Sequence, residues 1–185
     1  MRIVAGTAKG RALAGPKPTS KHIRPTADRV RETIFNVLGQ WLEGQAVLDL
    51  YAGTGALGLE ALSRGAKKAV LVDSDREALA LCRTNTDTLG FATQVEILSQ
   101  PVERSLGTLG RRGDKFELVF ADPPYAARVV ETVLESLAHH KVVAPGGTVV
   151  IEHDKREQAP QAHVGFEQVD QRRFGDTLVT LFRIP

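Results

Sequence analysis

The sequence predicts a doubly wound α/β fold: a mostly parallel sheet with helices on both faces, an antiparallel strand pair at one edge, and a small N-terminal β-hairpin. Three observations predict it. Five short apolar runs, Ala46–Leu50, Ala69–Val72, Gln94–Leu98, Leu118–Ala121 and Thr148–Glu152, alternate with helical stretches near 56–64, 75–89, 101–109 and 127–140. Apolar strands separated by helices signal a parallel sheet covered on both faces. Two later runs, Phe166–Arg172 and Thr177–Ile184, alternate in polarity and are joined by RFGD, which reads as an antiparallel hairpin. Finally, an apolar fraction of 42% over 185 residues fits one domain with a modest appendage.

At the N-terminus, Arg2–Ala5 and Arg11–Ala14 flank a Gly-containing turn and read as the hairpin. The stretch GPKPTSKHIRPT that follows is rich in Pro and Lys and reads as extended. From Ala27 the pattern turns helical: Val30, Ile34, Val37, Leu38 and Trp41 recur on one face. Thr26 is placed to cap that helix, with Asp28 in its first turn. The expected organisation is a basic extension over residues 1–26 and the α/β domain over residues 27–185.

Charge divides the chain in the same way. Residues 1–31 carry eight Lys or Arg and one acid, so this stretch holds +7 and the remainder −5. A basic arm on a slightly acidic body points to a polyanionic partner, above all nucleic acid. No apolar run approaches the roughly 20 residues of a membrane span, and MRIVAGTAKGRALAG lacks the apolar stretch of a signal peptide. Cys82 is the single cysteine; it falls in a helical apolar pattern, where a buried, inert thiol is expected. The five histidines show no metal-ligand spacing, and His139-His140 read as a helix end. The expectation is a cytoplasmic, monomeric protein without a metal.

The first strand of the α/β part runs into VLDLYAGTGALGLEAL, where Gly53, Gly55 and Gly58 form G-x-G-x-x-G between a strand and a helix. Glycines there allow a tight turn and close approach of the backbone to a ligand. Asp73, at the end of the second strand, is placed to accept hydrogen bonds from ribose hydroxyls. A dinucleotide would seat its pyrophosphate on the helix N-terminus. Asp49, however, precedes the glycines on the strand itself. A carboxylate there repels pyrophosphate and favours a cationic ligand such as S-adenosylmethionine. This stretch resembles the first motif of class I methyltransferases, D-x-Y-A-G-T-G.

The fourth strand ends in FADPPYAA. Pro123 and Pro124 fix the backbone and aim its carbonyls. Tyr125 offers a face for a base to stack on, and Asp122 two acceptor oxygens. The stretch is similar to the [DN]-P-P-[FYW] signature of amino-directed nucleic-acid methyltransferases. Hydrogen bonds from an exocyclic amine to Asp122 and a proline carbonyl would turn the nitrogen lone pair toward a methyl donor. Guanine presents N1–H and N2–H as adjacent donors that one carboxylate can accept together, whereas adenine presents an acceptor beside a donor. Asp122 therefore favours guanine N2, on a base taken out of its stack.

RIVAGTAKGRAL, RPTADRVRETIFNVL and FGDTLV resemble the RsmD family of small-subunit ribosomal RNA guanine-N2 methyltransferases, over nearly the whole chain. That resemblance implies a Rossmann-like class I methyltransferase fold with a seven-stranded sheet. It implies transfer from S-adenosylmethionine, leaving S-adenosylhomocysteine, to a guanine N2 of 16S rRNA in the assembled or assembling small subunit. Asp122, Pro123, Pro124 and Tyr125 would form the base pocket. Asp49, Tyr51, Gly53, Gly55, Asp73 and Ser74 would hold the cofactor, with Arg24, Pro25 and Thr26 closing over it. Arg2, Lys9, Arg11, Lys17, Lys21, Arg29 and Arg31 would grip RNA. After the third strand relatives often carry Asp or Asn-Ala; here Gln100-Pro101 stands instead, so Gln100 or the Val102 backbone is the expected contact to adenine. The alternatives are an amino-methyltransferase for another RNA or for DNA adenine N6, an NAD-dependent dehydrogenase, and a non-catalytic RNA-binding factor on the same fold.

Overall fold

A computed structural model describes residues 1–18, 28–124, 126 and 128–185. Helix α1 (Asp28–Leu38) precedes an alternation of β1 (Ala46–Leu50), α2 (Ala56–Ser63), β2 (Lys68–Asp73), α3 (Arg76–Leu89), β3 (Val95–Ser99), α4 (Val102–Arg112), β4 (Phe116–Ala121), α5 (Val129–His140) and β5 (Val143–Asp154). The chain ends in β6 (Ala162–His163), β7 (Phe166–Phe174) and β8 (Thr177–Arg183). The sheet order is β3-β2-β1-β4-β5-β8-β7-β6. Strands β1 to β5 pair in parallel, and β8, β7 and β6 add antiparallel to one another beyond β5.

This is the expected doubly wound sheet with an antiparallel edge. It has eight strands rather than seven, because the two-residue β6 adds at the rim; two residues carry no readable polarity alternation. Strand β5 begins earlier than its apolar core at Thr148, since a register shift against β4 absorbs Pro145, Gly146 and Gly147. Helices α1, α2 and α3 bury their apolar faces on one side of the sheet, and α4 and α5 on the other.

Helix α2 is buried at all eight positions, its two polar residues Glu60 and Ser63 included. The sheet covers one side of it and residues 1–14 cover the other, with Ile3, Ala8 and Leu13 joining the same core. Two regular strands were expected there, but the structure has a single antiparallel bridge, Arg2 to Ala12. The reason lies in α2. The Val4 and Ala5 N–H groups donate to the Glu60 carboxylate at 2.9 and 3.0 Å, and the Ala8 N–H donates to the Ser63 hydroxyl at 2.9 Å. Backbone donors that would extend a hairpin ladder are thus spent on α2 side chains. Gly6 permits the approach: a Cβ there would lie 1.7 Å from the Ser63 carbonyl oxygen.

Helix α1 differs from its expected face at one end. It stops at Leu38, Gly39 turns at φ 98°, and Trp41 is 68% exposed. Arg31 and Phe35 are buried in its place. The Arg64 guanidinium stacks 4.5 Å from the Phe35 ring centre while its Nε donates to Glu60 at 2.9 Å. Cys82 is buried as expected, its thiol donating to the Gly53 carbonyl at 3.3 Å, and burial pushes its pKa well above the ordinary thiol range. His140 ends α5, as expected. Among the described residues no helix is long and apolar enough to cross a membrane.

Candidate active site

Strand order reverses between β1 and β4, which each pair with opposite neighbours. In an open parallel sheet the crevice outside the carboxyl ends at such a reversal is where ligands bind. Asp49, Asp73 and Asp122 all lie at these carboxyl ends, on the adjacent strands β1, β2 and β4 or one residue beyond.

Asp49 lies inside a fully buried strand and is 3% exposed. Its Oδ2 accepts the backbone N–H of Gly58 at 2.9 Å, so the carboxylate ties the first turn of α2 to β1. Gly58 makes this possible, because a Cβ there would stand 2.4 Å from Leu71 Cδ2. Burial pushes the Asp49 carboxyl from 3.8 up to about 7; the Gly58 N–H opposes that shift and the Asp73 charge adds to it. Between Asp49 and α2 the chain turns sharply, with Tyr51, Gly53 and Gly55 at φ 58°, 57° and 76°. Tyr51 is the strained member, since a residue with a Cβ rarely takes positive φ. Burial and then the Glu103 charge raise the Tyr51 hydroxyl pKa.

Asp73 holds the same turn from the next strand. Its Oδ2 accepts the Gly53 N–H and its Oδ1 the Asp75 N–H, each at 2.9 Å. A carboxylate oxygen has two lone pairs, so each retains capacity toward a ribose hydroxyl. Ser74 is exposed beside it, and Asp75 caps α3 by accepting the Ala78 N–H at 2.9 Å. Asp73 pairs in register with Ser99 at the end of β3, which brings Gln100 alongside. The Gln100 Oε1 is buried and meets no hydrogen-bond donor among the described residues. Val102 opens α4, where backbone N–H groups have no partner within the helix.

On the other side of β1, Asp122 follows β4 with its N–H toward the Leu50 carbonyl at 3.5 Å. Asp122 is half-buried, Pro123 buried and Pro124 exposed. Tyr125 lies outside the described residues, as do Lys21, Arg24, Pro25 and Thr26. Beyond the loop, a cleft of about 550 Å³ is lined by Ala126, Arg128, Glu131, Asp154, Arg156 and Glu157. Sequence reasoning did not single out these residues, which come from the segment after β4 and from the end of β5 and the turn beyond it. Among the described residues no group of three or more His, Cys, Asp or Glu could hold a metal ion.

The basic residues divide. Arg2, Lys9, Lys17 and Arg29 are exposed. Arg11 is exposed too, but its guanidinium donates to the Leu89 carbonyl at 3.1 Å and to the Thr88 carbonyl, at the C-terminus of α3. Arg31 was expected to grip RNA and does not reach solvent: it is 0% exposed. It donates to the Asp28 carboxylate at 2.9 Å and to the Arg2 carbonyl at 2.5 Å. Charge count alone could not separate a structural guanidinium from a surface one.

Comparison with known proteins places the chain in context. The family model described as Conserved hypothetical protein 95 matches residues 1–183. YlbH of Bacillus subtilis is 33% identical over 183 residues, 99% of this chain and 98% of its own. Ribosomal RNA small subunit methyltransferase D of Escherichia coli K12 is 32% identical over 183 residues, covering 99% and 89% respectively. Among solved structures, yhhF of Escherichia coli superposes with a TM-score of 0.86 at 30% identity, over 100% of this chain and 97% of that one. An RNA methyltransferase from Salinibacter ruber in complex with S-adenosyl-L-homocysteine shares the fold, with a TM-score of 0.64 at 21% identity over 88% and 94% of the two chains.

Proposed function

The chain belongs to the Conserved hypothetical protein 95 family, and from that premise we propose that it methylates the exocyclic N2 of a guanine in 16S rRNA of the small ribosomal subunit, using S-adenosylmethionine. One observation carries the reading. The Asp122-Pro123 end of β4 adjoins the Leu50–Tyr51 end of β1, with the Asp122 N–H 3.5 Å from the Leu50 carbonyl. A loop suited to an aromatic amine and a turn suited to a nucleoside therefore open into one crevice. The name of the relative at 32% identity, ribosomal RNA small subunit methyltransferase D, supports the substrate class.

The residues present fit the cofactor. Asp73 can take the ribose hydroxyls on its remaining lone pairs. The Gln100 Oε1, buried without a donor among the described residues, matches the exocyclic amine of adenine. A buried acceptor left unpaired costs about 1–3 kcal/mol, so a ligand donor there is favourable. Asp49, Tyr51, Gly53 and Gly55 frame the methionine end, and Ser74 and Val102 border the nucleoside. When bound, S-adenosylmethionine supplies an electrophilic methyl group on a sulfonium.

The chain's own residues do the remainder. Asp122 accepts N1–H and N2–H of guanine together, and the Pro123 carbonyl takes the second amino hydrogen. These acceptors bear on the nitrogen where positive charge develops and hold the amine in line for attack. Asp122 or water can then hold the proton that the nitrogen loses. Pro123 and Pro124 keep the loop from relaxing. Arg2, Lys9, Lys17 and Arg29 supply phosphate contacts that position the RNA.

The test is transfer of a tritiated methyl group to small subunits lacking the modification and to naked 16S RNA, with the product nucleoside identified by mass spectrometry. N2-methylguanosine is expected. N6-methyladenosine would overturn the argument from Asp122, and tight cofactor binding without transfer to either RNA would overturn the substrate class.

A further inference from the structure

Residues 1–14 meet the cofactor turn at two points: Met1, whose sulfur accepts the Thr54 hydroxyl at 4.0 Å, and one buried amide side chain. Asn85, on α3, is 0% exposed. Its Oδ1 accepts the Ala14 N–H at 2.7 Å, and its Nδ2 donates to the Ala14 carbonyl at 3.1 Å and to the Thr54 carbonyl at 2.9 Å. Thr54 stands between Gly53 and Gly55, in the turn that Asp73 also holds through the Gly53 N–H. One amide thus joins the N-terminal segment to the cofactor turn. A buried amide is costly unless bonded, and this one makes bonds with both of its polar atoms.

We propose that Asn85 is a positioning residue that couples docking of residues 1–14 to cofactor binding, an inference that rests on the cofactor reading above. The segment docks from both ends. Glu60 and Ser63 hold Val4, Ala5 and Ala8 on α2, whose first turn is itself fixed by Asp49 through Gly58. Asn85 closes the circuit at Ala14. A ligand that orders the Gly53–Gly55 turn also orders the Thr54 carbonyl, and so strengthens the anchor for Ala14. Coupling between sites is reciprocal, so RNA that holds the basic segment in its docked form raises cofactor affinity by the same factor. Rigid docking of the segment and a formed cofactor turn are then required together, which favours transfer only when RNA and cofactor are both in place.

Amide hydrogen exchange with and without S-adenosylhomocysteine tests this, on samples whose cofactor binding is first measured by calorimetry. In the wild type, saturating cofactor is expected to slow exchange at Val4, Ala5, Ala8 and Ala14 by about fivefold, the factor that one neutral hydrogen bond supplies. Amides at the Gly175 turn, remote from Asn85, serve as the unchanged reference. In Asn85→Leu, which keeps the branching at Cγ and removes all three bonds, the cofactor-dependent slowing is expected to vanish while binding persists. No slowing in the wild type, or full slowing in Asn85→Leu, overturns the coupling. Absence of cofactor binding in the wild type overturns the cofactor reading, and the coupling with it. The wild-type comparison decides the matter alone if the variant does not fold.

Discussion

Replacing Asp49 by Asn separates the ionisation of this carboxylate from its geometry, because an amide oxygen can still accept the Gly58 N–H that Asp49 accepts at 2.9 Å. Burial pushes the Asp49 carboxyl from 3.8 up to about 7. An acid with a folded pKa above its unfolded one binds its proton more tightly in the native state. Native stability therefore falls as pH rises from about 4 through 7. Each pKa unit corresponds to about 1.36 kcal/mol, and about two units of that window fall between pH 5 and pH 8. The wild type is then expected to lose about 2–3 kcal/mol relative to Asp49→Asn over this interval. The assay is urea unfolding of both proteins at the two pH values without ligand. The difference between the proteins cancels the other titrating groups. Ionised Asp49 also favours a cation, so wild-type affinity for S-adenosylmethionine is expected to rise with pH through 7, while that of Asp49→Asn stays flat. S-adenosylhomocysteine, which lacks the sulfonium, is expected to respond less. A stability difference independent of pH would refute the raised pKa. A flat wild-type affinity for S-adenosylmethionine would refute the nearness of Asp49 to the cationic end of the ligand.

Asp122→Ala is expected to abolish methyl transfer with calorimetric cofactor affinity nearly unchanged; a matching loss of affinity would move Asp122 into the cofactor site. Gly58→Ala places a Cβ 2.4 Å from Leu71 Cδ2 and 3.3 Å from Asp49 Oδ2. It is expected to lower unfolding free energy by about 1–3 kcal/mol, the usual cost of overpacking, and an unchanged urea midpoint would contradict the close approach. Gln100→Ala is expected to weaken S-adenosylhomocysteine by about 0.5–1.5 kcal/mol. It is also expected to erase discrimination against an analogue carrying oxygen in place of the adenine amine; discrimination that persists would assign adenine recognition elsewhere. Arg31→Met is expected to cost stability and to leave the salt dependence of RNA binding intact, since Arg31 is buried. Neutralising Arg2 and Lys9 together is expected to flatten that dependence by roughly 0.7 per lost contact to a single strand, and an unchanged slope would show that neither meets phosphate.

Much of the fold was legible because its signals are local. Ala46–Leu50 is a strand in sequence and structure alike, since five consecutive apolar or buried positions between turn residues leave few alternatives. Helix α3 announced itself by periodicity and ends on Gly90 in the left-handed region, as helices commonly do. The cofactor turn was legible from its glycines, and the adjacency of Asp49, Asp73 and Asp122 followed from strand order. The two-residue β6 was not legible, because no pattern fits in two residues.

What the sequence by itself determined is the alternation of elements, the glycine turn and the acids at strand ends, for these depend on near neighbours and on sheet periodicity. Only the tertiary structure decided what each polar group faces. Asp49 reads from sequence as a ligand carboxylate, and the fold gives it a second partner that no local pattern shows, the Gly58 N–H on its Oδ2, because α2 folds back over β1. Arg31 reads as one more surface cation, yet it is buried between Asp28 and the Arg2 carbonyl. Residues 1–14 read as a basic arm, yet Glu60, Ser63 and Asn85 hold their backbone. The Asn85 and Glu60 contacts span 71 and 56 residues of chain. Pairings over such distances are fixed by how helices stack on the sheet, and that is a property of the folded whole.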